Sequence, residues 1–426
     1  MNVNSELYKG YIEILKEELI PATGCTEPIS IAYAAAVGRA TLGTLPDKVV
    51  VEVSGNIIKN VKSVVVPNTS GLRGIKAACA IGIIAGKKDK KLQVISEVTE
   101  KEIEDTKTYL AKDTITVKYA DTPYIFDIMM TMYKDNHKSY VRIVDYHTNI
   151  VNIEYDNDII LKKEIQGKEI SSLTDRSILS VENIVKFADI LIIDDVKELL
   201  DLQIKCNMAI AEEGLKSNYG ANIGKTLLKT GYNDVSLKAK AYAAAGSDAR
   251  MNGCEMPVII NSGSGNQGIT TSVPLIVYAK EMNICEDKMY RALALANLIT
   301  IHLKSGIGRL SAYCGAVSAG CGVASGIAYL LGGDLNAVSH TLVNALAINS
   351  GIICDGAKSS CAAKIASSVE GGLLGLKMYQ NGNEFYSGEG IVQKGVENTI
   401  KNICKIARIG MLETDKEIIK IMTEIE

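Results

Sequence analysis

Apolar positions recur at helical spacing over residues 4–20, NSELYKGYIEILKEELI, and Pro21 stops them. After the turn PATGCTEP comes a second helical run, ISIAYAAAVGRATLG, that is small and apolar on every side. From about residue 46 the period changes. Runs rich in Val and Ile, often alternating, predict strands at 48–55, 60–67, 91–98, 114–120, 124–133, 139–147, 150–155 and 158–164. One short helix, EIEDTKTYLAK, interrupts them. From about residue 175 the pattern is helical to the end, apart from the strand-like MPVIIN at 256–261.

These periods predict an α+β fold: a mostly helical catalytic domain with an inserted α/β domain containing a largely antiparallel sheet. The expected division is 1–45 as N-terminal helices packing on the C-terminal domain, 46–168 as the insertion, and 169–426 as the helical domain. Such an arrangement puts a small-molecule site in the cleft between domains.

Composition narrows the classes. Of 426 residues, 47% are apolar and 22% charged, with a net charge of −3. That fits a globular chain and argues against a nucleic-acid partner, which a basic stripe would serve. Two nearly uncharged stretches, 310–333 and 335–354, are long enough to span a bilayer. Their Gly, Ser, Asn and Cys content favours helices buried in a large domain, so no membrane is expected. No secretory leader precedes the first helix, and ten cysteines point to a cytoplasmic protein whose thiols bind metal or do chemistry.

Two cysteine pairs carry the strongest chemical signal. Cys314 and Cys321 are seven residues apart, as are Cys354 and Cys361. Seven residues of straight helix advance about 10.5 Å, too far for both thiolates of a helical pair to share one small metal centre. Cys314 and Cys321 enclose a segment that can stay helical. Cys354 and Cys361 enclose DGAKSS, which is turn chemistry and can fold both thiolates onto one group. The spacing therefore favours Cys354 and Cys361 plus one of Cys314 or Cys321. Three thiolates leave an open coordination position.

Cys25, in TGCTEP, sits where a helix begins. The positive end of the helix favours its thiolate, and Glu27 beside it is an alternative base. Two polar loops suit a small anion. One is PNTSGLRG, with Asn68, Thr69, Ser70 and Arg73; the other is NSGSGNQG, with Ser262, Ser264, Asn266 and Gln267. The second is neither a Walker A loop nor a dinucleotide loop. Ser247-Asp248-Ala249-Arg250-Met251 and Ser217-Asn218-Tyr219-Gly220 are polar islands to which the sequence attaches no role. No lysine stands in a context that suggests pyridoxal phosphate (PLP).

With these residues in view, PATGCTEPISIAYAAA, VVVPNTSGLRG, AGSDARMNG, NSGSGNQGI and the trio Cys314, Cys354, Cys361 resemble the L-cysteine desulfidase family, which is related to the iron–sulfur L-serine dehydratases. The likeness runs over nearly the whole chain. It implies a 4Fe–4S cluster on Cys314, Cys354 and Cys361, spaced by 40 and 7 residues, with one iron open and Cys321 outside the set. The implied reaction is β-elimination of L-cysteine to pyruvate, ammonia and hydrogen sulfide without PLP. Cys25 is the implied active-site cysteine and favoured base, with Glu27 second; Thr26 and the two polar loops are the implied substrate contacts. A homodimer is the expected assembly. The rival readings are an iron–sulfur L-serine dehydratase, a non-catalytic iron–sulfur sensor and a zinc hydrolase. None of the four histidines lies in a zinc-protease motif.

Overall fold

The computed structural model describes residues 1–165, 173–229, 234–308 and 310–423. In chain order the first part runs α1 (Glu6–Glu18), β1 (Pro21–Thr23), α2 (Thr26–Leu42), β2 (Lys48–Val53), α3 (Gly55–Val61), α4 (Gly74–Ala85) and α5 (Glu100–Ala111). Then come β3 (Ile115–Tyr119), β4 (Asp127–Lys134), β5 (His137–Val144), β6 (Ile150–Tyr155) and β7 (Asp158–Lys162). The remainder is helical but for one short strand: α6 (Val181–Ile190), α7 (Lys197–Lys216), α8 (Ile223–Leu228), α9 (Val235–Met251), β8 (Pro257–Ile259), α10 (Gly265–Glu281) and α11 (Glu286–Ile307). It ends with α12 (Gly315–Leu330), α13 (Leu335–Asn349), α14 (Cys361–Gln380), α15 (Val396–Lys405) and α16 (Leu412–Thr423). The fold is α+β, as the periods predict.

The main sheet has the order β3-β2-β4-β5-β6-β7. Only β2 and β3 run parallel; every other neighbouring pair is antiparallel. Period-2 alternation puts Val49, Val51 and Val53 of β2 beside Ile128, Met130 and Met132 of β4 on one buried face. The helices α2 and α4 cover that face. An Ala-rich helix suits this place, because small side chains let it pack closely against both the sheet and α4.

A second core holds the C-terminal helices, and α1 joins it: Tyr11, Ile14 and Leu15 pack with Phe187, Val258 and Leu298. The two halves of the first 45 residues therefore part company, α1 going to the helical core and α2 to the sheet. The short strands β1 and β8 pair between them, Ala22 opposite Val258. The expected boundary at 168 lies outside the described residues.

Two strand expectations are corrected. Residues 60–61 end α3, and of 62–66 only Val65 makes a β-bridge, to Arg73. Residues 91–93 belong to a 3-10 turn, and Val94 and Ile95 beyond them fill the sheet's core without pairing. In both runs β-branched residues reach burial without a partner strand, which hydrophobic pattern alone does not distinguish from pairing. No helix among the described residues is long and apolar enough to cross a membrane.

Candidate active site

Cys314 and Cys354 are brought side by side by a two-residue ladder. The amide of Cys314 donates to Ile352 O at 3.1 Å, that of Cys354 donates to Ala312 O at 2.6 Å, and Tyr313 faces Ile353 between them. Cys314 is the residue before α12 and Cys361 the first residue of α14. The DGAKSS segment is non-helical, as expected. It is tied down at both ends: Asp355 pairs with Lys364, and Ser359 Oγ donates to Asn252 Oδ1 at 2.8 Å. Cys321 lies inside α12, fully buried, with Asn349 Nδ2 at 3.9 Å from its sulfur.

The three thiols are perturbed differently. Cys314 and Cys354 share a hydrogen bond that shifts the two in opposite directions. The bond to Cys314 is the main reason Cys354 is pulled down to about 6, with Lys59, the Gly356 amide and Lys364 adding to it against burial. The same bond and burial raise the Cys314 thiol. Burial also raises Cys361.

All three cysteines line one cavity of about 380 Å³ together with Cys25, Thr26 and Glu27. Cys25 caps the N-terminus of α2 and shares a small apolar cluster with Val64, Met251 and Cys361. The expectation of a Cys25 thiolate is corrected. Burial pushes this thiol up to about 12, outweighing the stabilisation that Arg250 provides, and nearby Glu27 and Cys361 push the same way. Thr26 Oγ1 donates to Glu27 Oε2 at 3.2 Å.

The polar loops part ways. Ser262, Ser264, Asn266 and Gln267 all line the cavity. A tight turn, with Asn261 and Ser264 exchanging backbone hydrogen bonds at 3.1 Å, sets them there. Asn68, Thr69, Ser70 and Arg73 do not line it. Asn68 Nδ2 donates to Ile95 O at 2.7 Å, Thr69 Oγ1 to Val66 O at 2.6 Å, and Arg73 Nη1 to Ser63 O at 3.0 Å. Pro67, at the start of this loop, presses on Gly24. A Cβ at Gly24 would stand 2.1 Å from Pro67 Cγ, and its φ of +64° is one that glycine adopts without strain. The loop supports the Cys25 turn from behind.

Sequence reasoning missed several wall residues. The β5–β6 turn brings Asp145 and His147 to the cavity from the sheet side, so a histidine does reach the site. Ser30 Oγ donates to His147 O at 2.6 Å, and the His147 ring stands edge-on to Phe126 at 4.8 Å. Burial raises the Asp145 carboxyl. Lys59, which pairs with Asp415, and Arg250, Lys304 and Arg408 complete the wall. These positions come from five separate elements, and no local motif links them. Only the AGSDARMNG segment hinted at Arg250.

The residues fit an iron–sulfur group by the chemistry of their donors: three thiols, Cys314 buried and Cys354 and Cys361 half-buried, line one cavity. Among the described residues, no three of His, Cys, Asp or Glu form a group that could hold a single metal ion. The chain belongs to the serine dehydratase alpha chain family, whose pattern matches residues 89–420, and this is a family of lyases that depend on an iron–sulfur centre. Among its relatives, a UPF0597 protein of Desulfitobacterium hafniense is 60% identical over 99% of this chain and 98% of its own length. UPF0597 proteins of Lachnoclostridium phytofermentans and Treponema denticola are 50% and 45% identical, each over at least 98% of both chains.

Proposed function

We propose that this lyase is an L-cysteine desulfidase, releasing pyruvate, ammonia and hydrogen sulfide at a 4Fe–4S cluster held by Cys314, Cys354 and Cys361, without PLP. The observation that carries the reading is the convergence of these three thiols with Cys25 and Glu27 on one cavity. When bound, the cluster supplies a Lewis-acidic iron that makes the substrate's sulfur a better leaving group. The work of the chain is to hold the amino acid and move protons. Glu27, in the first turn of α2, takes the proton from Cα. The electron pair left on Cα forms the Cα–Cβ double bond as the Cβ–S bond breaks, and sulfur leaves with its own pair. The product, 2-aminoacrylate, tautomerises to an imine that water hydrolyses to pyruvate and ammonia. No electrons are gained or lost overall.

Cys25 serves here as a thiol, a proton donor beside the leaving group, because burial holds it protonated. The serine dehydratase relationship favours a second reading, L-serine with hydroxide as leaving group. The test is anaerobic purification, a visible spectrum, and sulfide release from L-cysteine measured beside pyruvate release from L-serine. A clear preference for L-serine would replace the first reading by the second. Exchange of the α-hydrogen with solvent deuterium tests the base: Glu27→Gln should abolish it, and unchanged exchange would move the role elsewhere, His147 being next in the wall.

A further inference from the structure

Arg250, to which the proposed chemistry gives no part, is set on the cavity wall in an unusual state. Its side chain is nine-tenths buried, with 6% of its surface exposed. Nη2 donates to Gly24 O at 2.8 Å, and Nη1 donates to Asn266 Oδ1 at 3.2 Å. These two bonds hold the plane of the guanidinium between the Cys25 turn and the start of α10. The Nε–H is buried with no acceptor among the described residues. A buried donor of this kind costs stability unless something fills it, and the cost is larger for a charged group.

What lies against it is the first residue of α10. A Cβ on Gly265 would stand 2.3 Å from Arg250 Nε, so only glycine allows the guanidinium to lie over the helix end. That helix is 17 residues long, and among the described residues no side chain caps its N-terminus. Asn266 and Gln267 of its first turn line the cavity, as Arg250 does, and the positive end of the helix lies there. Two residues further, Gln267 is buried with its Oε1 lacking a donor among the described residues. Its amide packs against Gly315, the residue after Cys314. An unfilled cationic donor and an unfilled acceptor thus flank one stretch of wall beside the cysteines.

We propose that Arg250 and the uncapped first turn of α10 anchor the substrate's carboxylate, and that Gln267 Oε1 accepts from its ammonium. The ligand class is an α-amino acid with both groups free. This rests on the reading that the cavity handles a small amino acid. Glu27 and the three cysteines line the same cavity, so an amino acid anchored here has the base and the cysteine wall within one site. It also supports carbanion character at Cα, because donors on the carboxylate strengthen as negative charge spreads onto it.

The test uses cluster-loaded protein under anaerobic conditions, with calorimetric binding of three probes that cannot undergo elimination: L-alanine, propionate and ethylamine. Wild type should bind L-alanine and propionate. Arg250→Met should keep the visible cluster spectrum and weaken both by roughly 10- to 100-fold, the scale of a charge-assisted contact, while ethylamine is unaffected. Arg250→Lys should fall between. Gly265→Ala is the second variant, since its methyl group displaces the guanidinium without removing it; it should weaken L-alanine and propionate in the same way. An Arg250→Met or Gly265→Ala protein with an intact spectrum and wild-type affinity for L-alanine overturns the anchor. If wild type eliminates neither L-cysteine nor L-serine yet binds propionate in an Arg250-dependent way, the functional reading falls and the anchor stands. If wild type turns over normally and Arg250→Met leaves KM unchanged, the anchor falls and the functional reading stands.

Discussion

The loops at 67–74 and 261–268 look alike in sequence. Each follows an apolar run, precedes a helix, and is built from Gly, Ser, Asn and a longer polar side chain. The fold uses them in opposite ways. In the first, polar side chains satisfy backbone carbonyls of its own loop and of neighbouring turns, and Pro67 braces Gly24. In the second, a buried amide ladder does the holding: Asn261 Nδ2 donates to Asn297 Oδ1 at 2.9 Å, and Asn297 in turn donates to Gln203 at 2.9 Å. Because the ladder lies behind the loop, Ser264, Asn266 and Gln267 remain available to the cavity. The lesson is that a loop's capacity to bind depends on where its hydrogen bonds are already committed. Composition does not report that.

The largest effect that can break this comparison concerns the cysteine wall that the second loop faces. Alanine at Cys314, Cys354 or Cys361 should abolish the visible iron–sulfur absorbance and all turnover, while Cys321→Ala, inside α12, should retain both. A folded but colourless Cys321 variant would mean that the cavity wall is not where the cluster sits.

Next in size is Cys25, which the first loop supports. Cys25→Ala should keep the spectrum and lose roughly 10²–10⁴-fold in kcat, the usual range for a general acid or base. Its thiol should also alkylate far more slowly than that of exposed Cys285, because burial holds it protonated. Rapid alkylation of Cys25 near neutral pH would restore the thiolate role.

The loops can then be compared directly. Ser264→Ala and Asn266→Ala should each raise KM about 10-fold, the cost of one contact to a charged group. Asn68→Ala and Ser70→Ala should leave KM within about twofold, since their side chains never reach substrate. Equal effects on KM from both loops would remove the distinction. The smallest effect is Thr69→Val, which deletes a buried hydroxyl bond to Val66 O and should lower stability by about 1 kcal/mol in chemical denaturation with kcat unchanged.

Much of the architecture was legible in hydrophobic period. The strands from 114 to 164 read clearly because alternation in Val, Ile and Met is a local signature of a sheet with one buried face. The runs at 60–67 and 91–98 misread because a buried β-branched residue looks the same whether or not it is paired. Within the candidate site, turn chemistry around DGAKSS identified Cys354 and Cys361 as able to converge. It left Cys314 and Cys321 undecided until the family likeness chose between them.

The sequence by itself determined what is local: the period of each element, the turn between the last two cysteines, and the helix start at Cys25. The tertiary structure decided what depends on distance through space. It set Cys314 beside Cys354 by pairing residues 40 apart in the chain, and it buried Cys25 deeply enough to reverse the expected charge of its thiol. It also brought Arg250, Asp145 and His147 onto one wall. Burial and field are sums over every neighbour in space, and no window along the chain contains those neighbours.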